Sequence, residues 1–121
     1  MPKVFIVDDD PDARKIMNVV MRQHGYEVET AFSKEDALAR LQDFQPSVIL
    51  LDVLLSGTDG RDFCREIKIN EKMKDVPVIM VSAHPGASEN ISSYGADDFI
   101  SKPIDTTVLL EKMERLLNNA K

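Results

Sequence analysis

The chain has 121 residues, a formal net charge of −6, 43% hydrophobic and 30% charged residues, and one cysteine. That length suits a single domain with a core of its own, without disulfide or metal staples. The charge argues against sequence-independent nucleic-acid binding by this domain, the lone Cys64 excludes an internal disulfide and fits a reducing compartment, and no apolar stretch reaches membrane-spanning length.

Met1-Pro2-Lys3-Val4 leads straight into a strand with no signal peptide visible, so the cytoplasm is the expected location. Val4, Phe5, Ile6 and Val7 form an unbroken apolar run, the pattern of a strand buried on both faces, and the run ends at Asp8. Asp10-Pro11 is a helix start, with a capping carboxylate and proline at the first helical position. Ala13, Ile16, Met17, Val20 and His24 recur at helical spacing, and Gly25 closes the helix. Tyr26 to Thr30 alternates, which suits a strand at an edge or exposed on one face. Ser33 caps a second helix with Asp36 in its first turn and Ala37, Leu38, Leu41 and Phe44 as its buried stripe.

After Pro46, Ser47-Val48-Ile49-Leu50-Leu51-Asp52 reads as another doubly buried strand that ends in a lone carboxylate. Gly57 and Gly60 mark a turn, and a third helix follows with Phe63, Cys64 and Ile67 inward, breaking down near Asn70. Val76 to Ser82 is a fourth strand, with Pro77 near its start where a missing donor is tolerated. His84-Pro85-Gly86 is a loop, Ser88 to Tyr94 a short helix capped by Gly95, Asp97 to Ser101 a fifth strand, and Lys102-Pro103 a turn. Asp105 caps a last helix with Val108, Leu109, Met113, Leu116 and Leu117 on its apolar side.

Five strand–helix units imply a parallel sheet with helices on both faces. Ligands of such sheets bind beyond the carboxyl ends of the strands, where the strand order reverses. The polar strand-end residues all fall on that edge: Asp8 and Asp9 after the first strand, Asp52 on the third, Ser82 on the fourth and Lys102 after the fifth. Two carboxylates ~4 Å apart repel by roughly 4 kcal/mol at an effective dielectric of about 20. Either one of the acids protonates or a hard cation joins them, and a few oxygens with room for water suit Mg²⁺. A phosphoryl oxygen would take an open coordination position, with the Ser82 hydroxyl and the Lys102 ammonium as its further partners. Asp52, at the centre, is then a carboxylate nucleophile able to carry the phosphoryl group as an acyl phosphate.

Val7-Asp8-Asp9, Leu50-Leu51-Asp52, Asp59-Gly60, Val81-Ser82-Ala83, Gly95-Ala96-Asp97-Asp98-Phe99 and Lys102-Pro103, in this order and on these strand ends, resemble the receiver domain of two-component response regulators. The resemblance covers essentially all 121 residues. It implies one receiver domain over residues 1–121, with the CheY-like α/β fold: a single doubly wound, five-stranded parallel sheet of order 2-1-3-4-5 and five helices. It further implies that Asp52 is the phospho-acceptor, that Asp9 binds Mg²⁺ directly and Asp8 directly or through water, and that Leu54 adds its backbone carbonyl. Ser82 is then the hydroxyl that follows the phosphoryl group, Lys102 pairs with that group and forms a cis bond to Pro103, and Phe99 is the switch aromatic. The implied reaction is transfer from a phosphohistidine on a sensor histidine kinase or phosphotransfer protein, followed by slow self-catalysed hydrolysis, a regulatory rather than an enzymatic activity.

The chain departs from the family pattern in places. Leu55-Ser56-Gly57-Thr58 stands where many receivers carry Met-Pro, a change expected to loosen the loop without touching a ligand side chain. Phe99 lacks the hydroxyl of the commoner tyrosine, and Leu54 and His84 occupy positions that tune phosphate lifetime in the family. Output passes to a downstream effector or to an output domain beyond position 121, and Val108 in the last helix favours a monomer before phosphorylation. Two other readings compete: a haloacid-dehalogenase-like Mg²⁺-dependent phosphatase using Asp8 and Asp10, and a phosphorylation-independent binding module or flavin carrier of similar fold. The first leaves Asp52 unexplained, and the second lacks a phosphate-binding loop after strand one.

Overall fold

The computed structural model describes residues 2–119. Five parallel strands form the sheet: β1 (Lys3–Val7), β2 (Glu27–Ala31), β3 (Val48–Asp52), β6 (Val78–Ser82) and β7 (Asp98–Ser101), with a two-residue hairpin, β4 (Leu54–Leu55) and β5 (Thr58–Asp59), after β3. Their order is β2-β1-β3-β6-β7, the 2-1-3-4-5 arrangement once the hairpin is left out of the count. Among the described residues four α-helices connect and flank them: α1 (Pro11–Gln23), α2 (Lys34–Phe44), α3 (Gly60–Ile69) and α4 (Thr106–Asn119). No helix among the described residues is long and apolar enough to cross a membrane.

Side-chain alternation along the strands divides the interior in two. Phe5, Val7, Ile49, Leu51, Val78 and Met80 face Ala37, Leu41, Phe63, Cys64 and Ile67 of α2 and α3. Val4, Ile6, Val48, Leu50, Ile79 and Val81 face Met17 and Met21 of α1 and Leu109 and Met113 of α4. Because both faces of β1, β3 and β6 are covered, those strands read as continuous apolar runs, whereas edge strand β2 alternates.

The helix caps fall where the sequence places them. Asp10 Oδ1 accepts the Asp12 N–H at 3.0 Å, and Ser33 Oγ accepts the Asp36 N–H at 3.1 Å. Asp105 Oδ1 accepts the Val108 N–H at 3.2 Å.

The expected fifth helix over Ser88 to Tyr94 is corrected. Two single 3₁₀ turns, Pro85–Ser88 and Ile91–Tyr94, stand in its place. Asn90 between them is left-handed, with φ 62°, and Ser93 Oγ donates to the Asn90 carbonyl at 2.6 Å. Short polar side chains here compete for the backbone groups that a helix would use. The buried stripes are also narrower than the helical periods predict: Ile16, Leu38 and Val108 are exposed, and Met21, absent from the expected stripe, is fully buried.

Candidate functional site

β1 and β3 are neighbours, with Val7 opposite Leu51, so their exits bring Asp8 and Asp52 side by side. Asp8, Asp9 and Asp52 each offer a carboxylate oxygen, and these atoms lie within 4.8 Å of one another. Asp8 and Asp52 are buried, while Asp9 is only partly covered. Asp8 Oδ1 accepts the Asp10 N–H at 2.9 Å, and the Asp8 carbonyl accepts from Arg14 Nη1 at 2.7 Å, contacts that fix the turn from β1 into α1. Asp52 Oδ1 accepts the Leu54 N–H at 3.0 Å. Behind Asp52, the first residue of α3 must be glycine: a Cβ on Gly60 would stand 1.9 Å from the Asp52 carbonyl oxygen.

Lys102, just past β7, completes the group. Its Nζ donates to Asp52 Oδ2 at 2.8 Å and to Asp8 Oδ2 at 3.0 Å. The Lys102–Pro103 bond is cis. Burial pushes the Asp52 carboxyl above its ordinary range and the Asp8 charge adds to this, against the pull of hydrogen bonds from Lys102 and the Leu54 amide. Burial acts to lower Lys102, but its hydrogen bonds to Asp52 and Asp8 and their charges prevail, so the ammonium is held more firmly than usual. The donor set fits a small hard divalent cation: all-oxygen ligands, two buried, and one open enough to solvent that water can fill the remaining positions. Asp8, Asp9 and Asp52 are the side chains that would hold it.

Ser82 closes β6 and is buried, with its Oγ accepting the His84 N–H at 3.0 Å; it borders the site through the sheet, the Ser82 carbonyl accepting the Lys102 N–H at 2.9 Å. Phe99, on β7 opposite Met80, is half-buried against the core on the α2 and α3 side. The Leu54 side chain is 53% exposed, and its amide rather than its side chain meets Asp52. His84 is exposed. Asp97 and Asp98 lie away from the group, as structural anchors: Asp97 accepts from Lys68 and from the Val78 N–H, and Asp98 from Lys112 and Arg115.

One expectation is overturned. The Ser56 loop does touch one of the three acids, because the Ser56 N–H and Oγ donate to Asp9 Oδ2 at 3.1 and 2.7 Å. The available signal was the residue type itself: where proline can donate nothing, serine carries two donors.

The response regulator receiver domain matches residues 4–114. The DNA-binding dual master transcriptional regulator RpaA of Synechocystis sp. is 32% identical over 119 residues, covering 97% of this chain and 49% of that protein. Among solved structures, the chemotaxis protein CheY4 of Vibrio cholerae superimposes with a TM-score of 0.89 at 30% identity, over 96% of this chain and 98% of that one. The receiver domain of NtrX from Brucella abortus does so with a TM-score of 0.87 at 33% identity, over 96% and 98%. The chain spans about half the length of the curated relatives it matches.

Proposed function

This chain belongs to the response regulator receiver domain family, and on that footing we propose that Asp52 takes up a phosphoryl group from a phosphohistidine on a sensor histidine kinase or phosphotransfer protein. An Asp52 carboxylate oxygen attacks phosphorus, the P–N bond to the donor imidazole breaks, and that imidazole recovers a proton. The product is an acyl phosphate on Asp52. The observation that carries this reading is the convergence of Lys102 Nζ on the Asp52 and Asp8 carboxylates at 2.8 and 3.0 Å.

Lys102 holds the acceptor oxygen in place beforehand and offers its ammonium to the incoming phosphoryl oxygens. The Leu54 amide fixes the second Asp52 oxygen, and Asp8 and Asp9 complete a site for Mg²⁺ with the Leu54 carbonyl. A bound Mg²⁺ supplies charge neutralisation to the phosphoryl oxygens. Ser82, at the end of β6, exchanges its bond from the His84 amide for one to the phosphoryl group, and Phe99 on the adjacent strand responds to that change. The domain has slow self-hydrolysis as its only turnover.

An effector, joined or separate, reads the switched face; the relative RpaA is a DNA-binding transcriptional regulator. Before phosphorylation the domain is a monomer working in the cytoplasm, and a stable dimer in light scattering would contradict this. A phosphatase using Asp8 and Asp10 is disfavoured because Asp10 Oδ1 is engaged as the cap of α1. A binding module indifferent to phosphate would have no use for an acid–lysine cluster that burial makes costly.

The test is incubation with Mg²⁺ and a small-molecule phosphodonor, followed by intact mass. Wild type gains one phosphoryl group and Asp52→Ala gains none. No gain in wild type, or an equal gain in Asp52→Ala, overturns the proposal.

A further inference from the structure

We infer that Ser56 is a positioning residue that sets Asp9 for the divalent cation, an inference that rests on the metal-site reading above. Asp8 and Asp52 are buried and each has two kinds of partner, a backbone amide and Lys102. Asp9 is only partly buried and, among the described residues, has no ion pair to orient it. Among the described residues its carboxylate has hydrogen-bond donors on Ser56 alone, the N–H at 3.1 Å and Oγ at 2.7 Å. Both fall on Oδ2. A carboxylate accepts on two oxygens, so Oδ1 stays open while the group is held by its other edge. This is the arrangement of an outer-sphere partner that orients a ligand without occupying its coordinating atom.

The hairpin makes the contact possible. Leu54 pairs with Asp59 and Leu55 with Thr58, leaving Ser56 and Gly57 as the two corner residues. Gly57 has φ 73°, as the second corner of a type II turn requires. The corner at Ser56 has no ladder duty for its N–H, which is free to point across to the end of β1. The short stretch after β3 thus serves two acids at once: Leu54 holds Asp52, and Ser56 holds Asp9. It links the two strand exits independently of Lys102.

Three variants test this. Ser56→Pro removes both donors at a corner where type II turns favour proline, Ser56→Ala removes the hydroxyl alone, and Ser56→Thr keeps both. Mg²⁺ affinity is read by calorimetric titration of the unphosphorylated protein, alongside urea unfolding in EDTA. Outer-sphere partners are worth about 10- to 100-fold in metal affinity. Ser56→Pro is expected to weaken Mg²⁺ binding by about 10-fold or more, Ser56→Ala by less, and Ser56→Thr is expected to match wild type, all with little change in the EDTA unfolding midpoint. As a readout without metal, amide hydrogen exchange at Ser56 is expected to speed up in Asp9→Ala. Mg²⁺ binding that is unchanged or tighter in both Ser56→Pro and Ser56→Ala overturns the inference and leaves the metal site intact. Unaltered exchange at Ser56 in Asp9→Ala also overturns it. Absence of Mg²⁺ binding by wild type removes the reading beneath it.

Discussion

Replacing Lys102 by methionine tests whether its ammonium is what allows Asp8 and Asp52 to share the end of the sheet. Nζ sits 2.8 Å from one carboxylate and 3.0 Å from the other, and each attraction is roughly 6 kcal/mol gross at an effective dielectric of about 20. The two carboxylate oxygens, within 4.8 Å, repel by roughly 3.5 kcal/mol on the same scale. Methionine keeps the apolar stem and deletes the charge. The attractions vanish, the repulsion stays, and the desolvation imposed on the ammonium is recovered. Breaking a buried pair by removing one partner costs about 3–5 kcal/mol. Lys102 keeps 27% of its side chain in solvent, so the expected loss is at the lower end, about 3 kcal/mol. The assay is urea unfolding at neutral pH in EDTA, repeated at saturating Mg²⁺. The loss appears in EDTA and shrinks with Mg²⁺, because a cation bound only by the native state adds stability and meets less positive charge in the variant. In an Asp8→Asn background the same replacement costs less, since the leftover repulsion is gone. A variant within about 0.5 kcal/mol of wild type in EDTA, or a gap that Mg²⁺ widens, refutes the reasoning.

Gly60→Ala forces a methyl to within 1.9 Å of the Asp52 carbonyl oxygen, and a loss of about 3 kcal/mol in urea unfolding is expected, the upper range for overpacking; a loss below about 1 kcal/mol contradicts the fit. Burial acts to raise the Asp98 carboxyl, but hydrogen bonds from Lys112 and the Phe99 amide and the nearby Lys112 and Arg115 charges hold it below its usual range. A depressed carboxyl contributes stability that is present above the unfolded value of about 3.9 and is lost as pH falls through the lower folded value. Asp98→Asn is therefore less stable than wild type at neutral pH, by about 1 kcal/mol given that Arg115 is largely exposed. The difference closes in strong acid, and a pH-independent difference speaks against the pairing. Burial pushes the Cys64 thiol up to about 11, so a thiol reagent at mildly alkaline pH labels it only as fast as the protein opens, and labelling of the native protein at the rate seen in urea would show that the residue is accessible.

The sheet was readable because both faces of β1, β3 and β6 are buried, which writes each strand as an apolar run with a polar residue at its end. The same clarity located Asp8, Asp52, Ser82 and Lys102 on one edge, since parallel strands present all their carboxyl ends together. Ser88 to Tyr94 is not legible in the sequence because its outcome depends on competition between short side chains and the backbone, which hydrophobic spacing does not register. Ile16 and Leu38 were misassigned because a helical period tells which residues share a face but not how wide a face the sheet covers. Ser56 escaped notice for a different reason. Its contact with Asp9 spans 47 positions and arises from a hairpin corner, which neither periodicity nor local spacing registers.

The sheet also acts as a partition. Ile49 and Leu51 serve one interior and Val48 and Leu50 the other, so the strand that ends in Asp52 borders two rooms that share no buried side chain. Strand β7 divides the same way: Phe99 packs beside α2 and α3, and Ile100, the next residue, beside α1 and α4. On the reading proposed above, a phosphoryl group on Asp52 would press on both interiors at once, through different side chains.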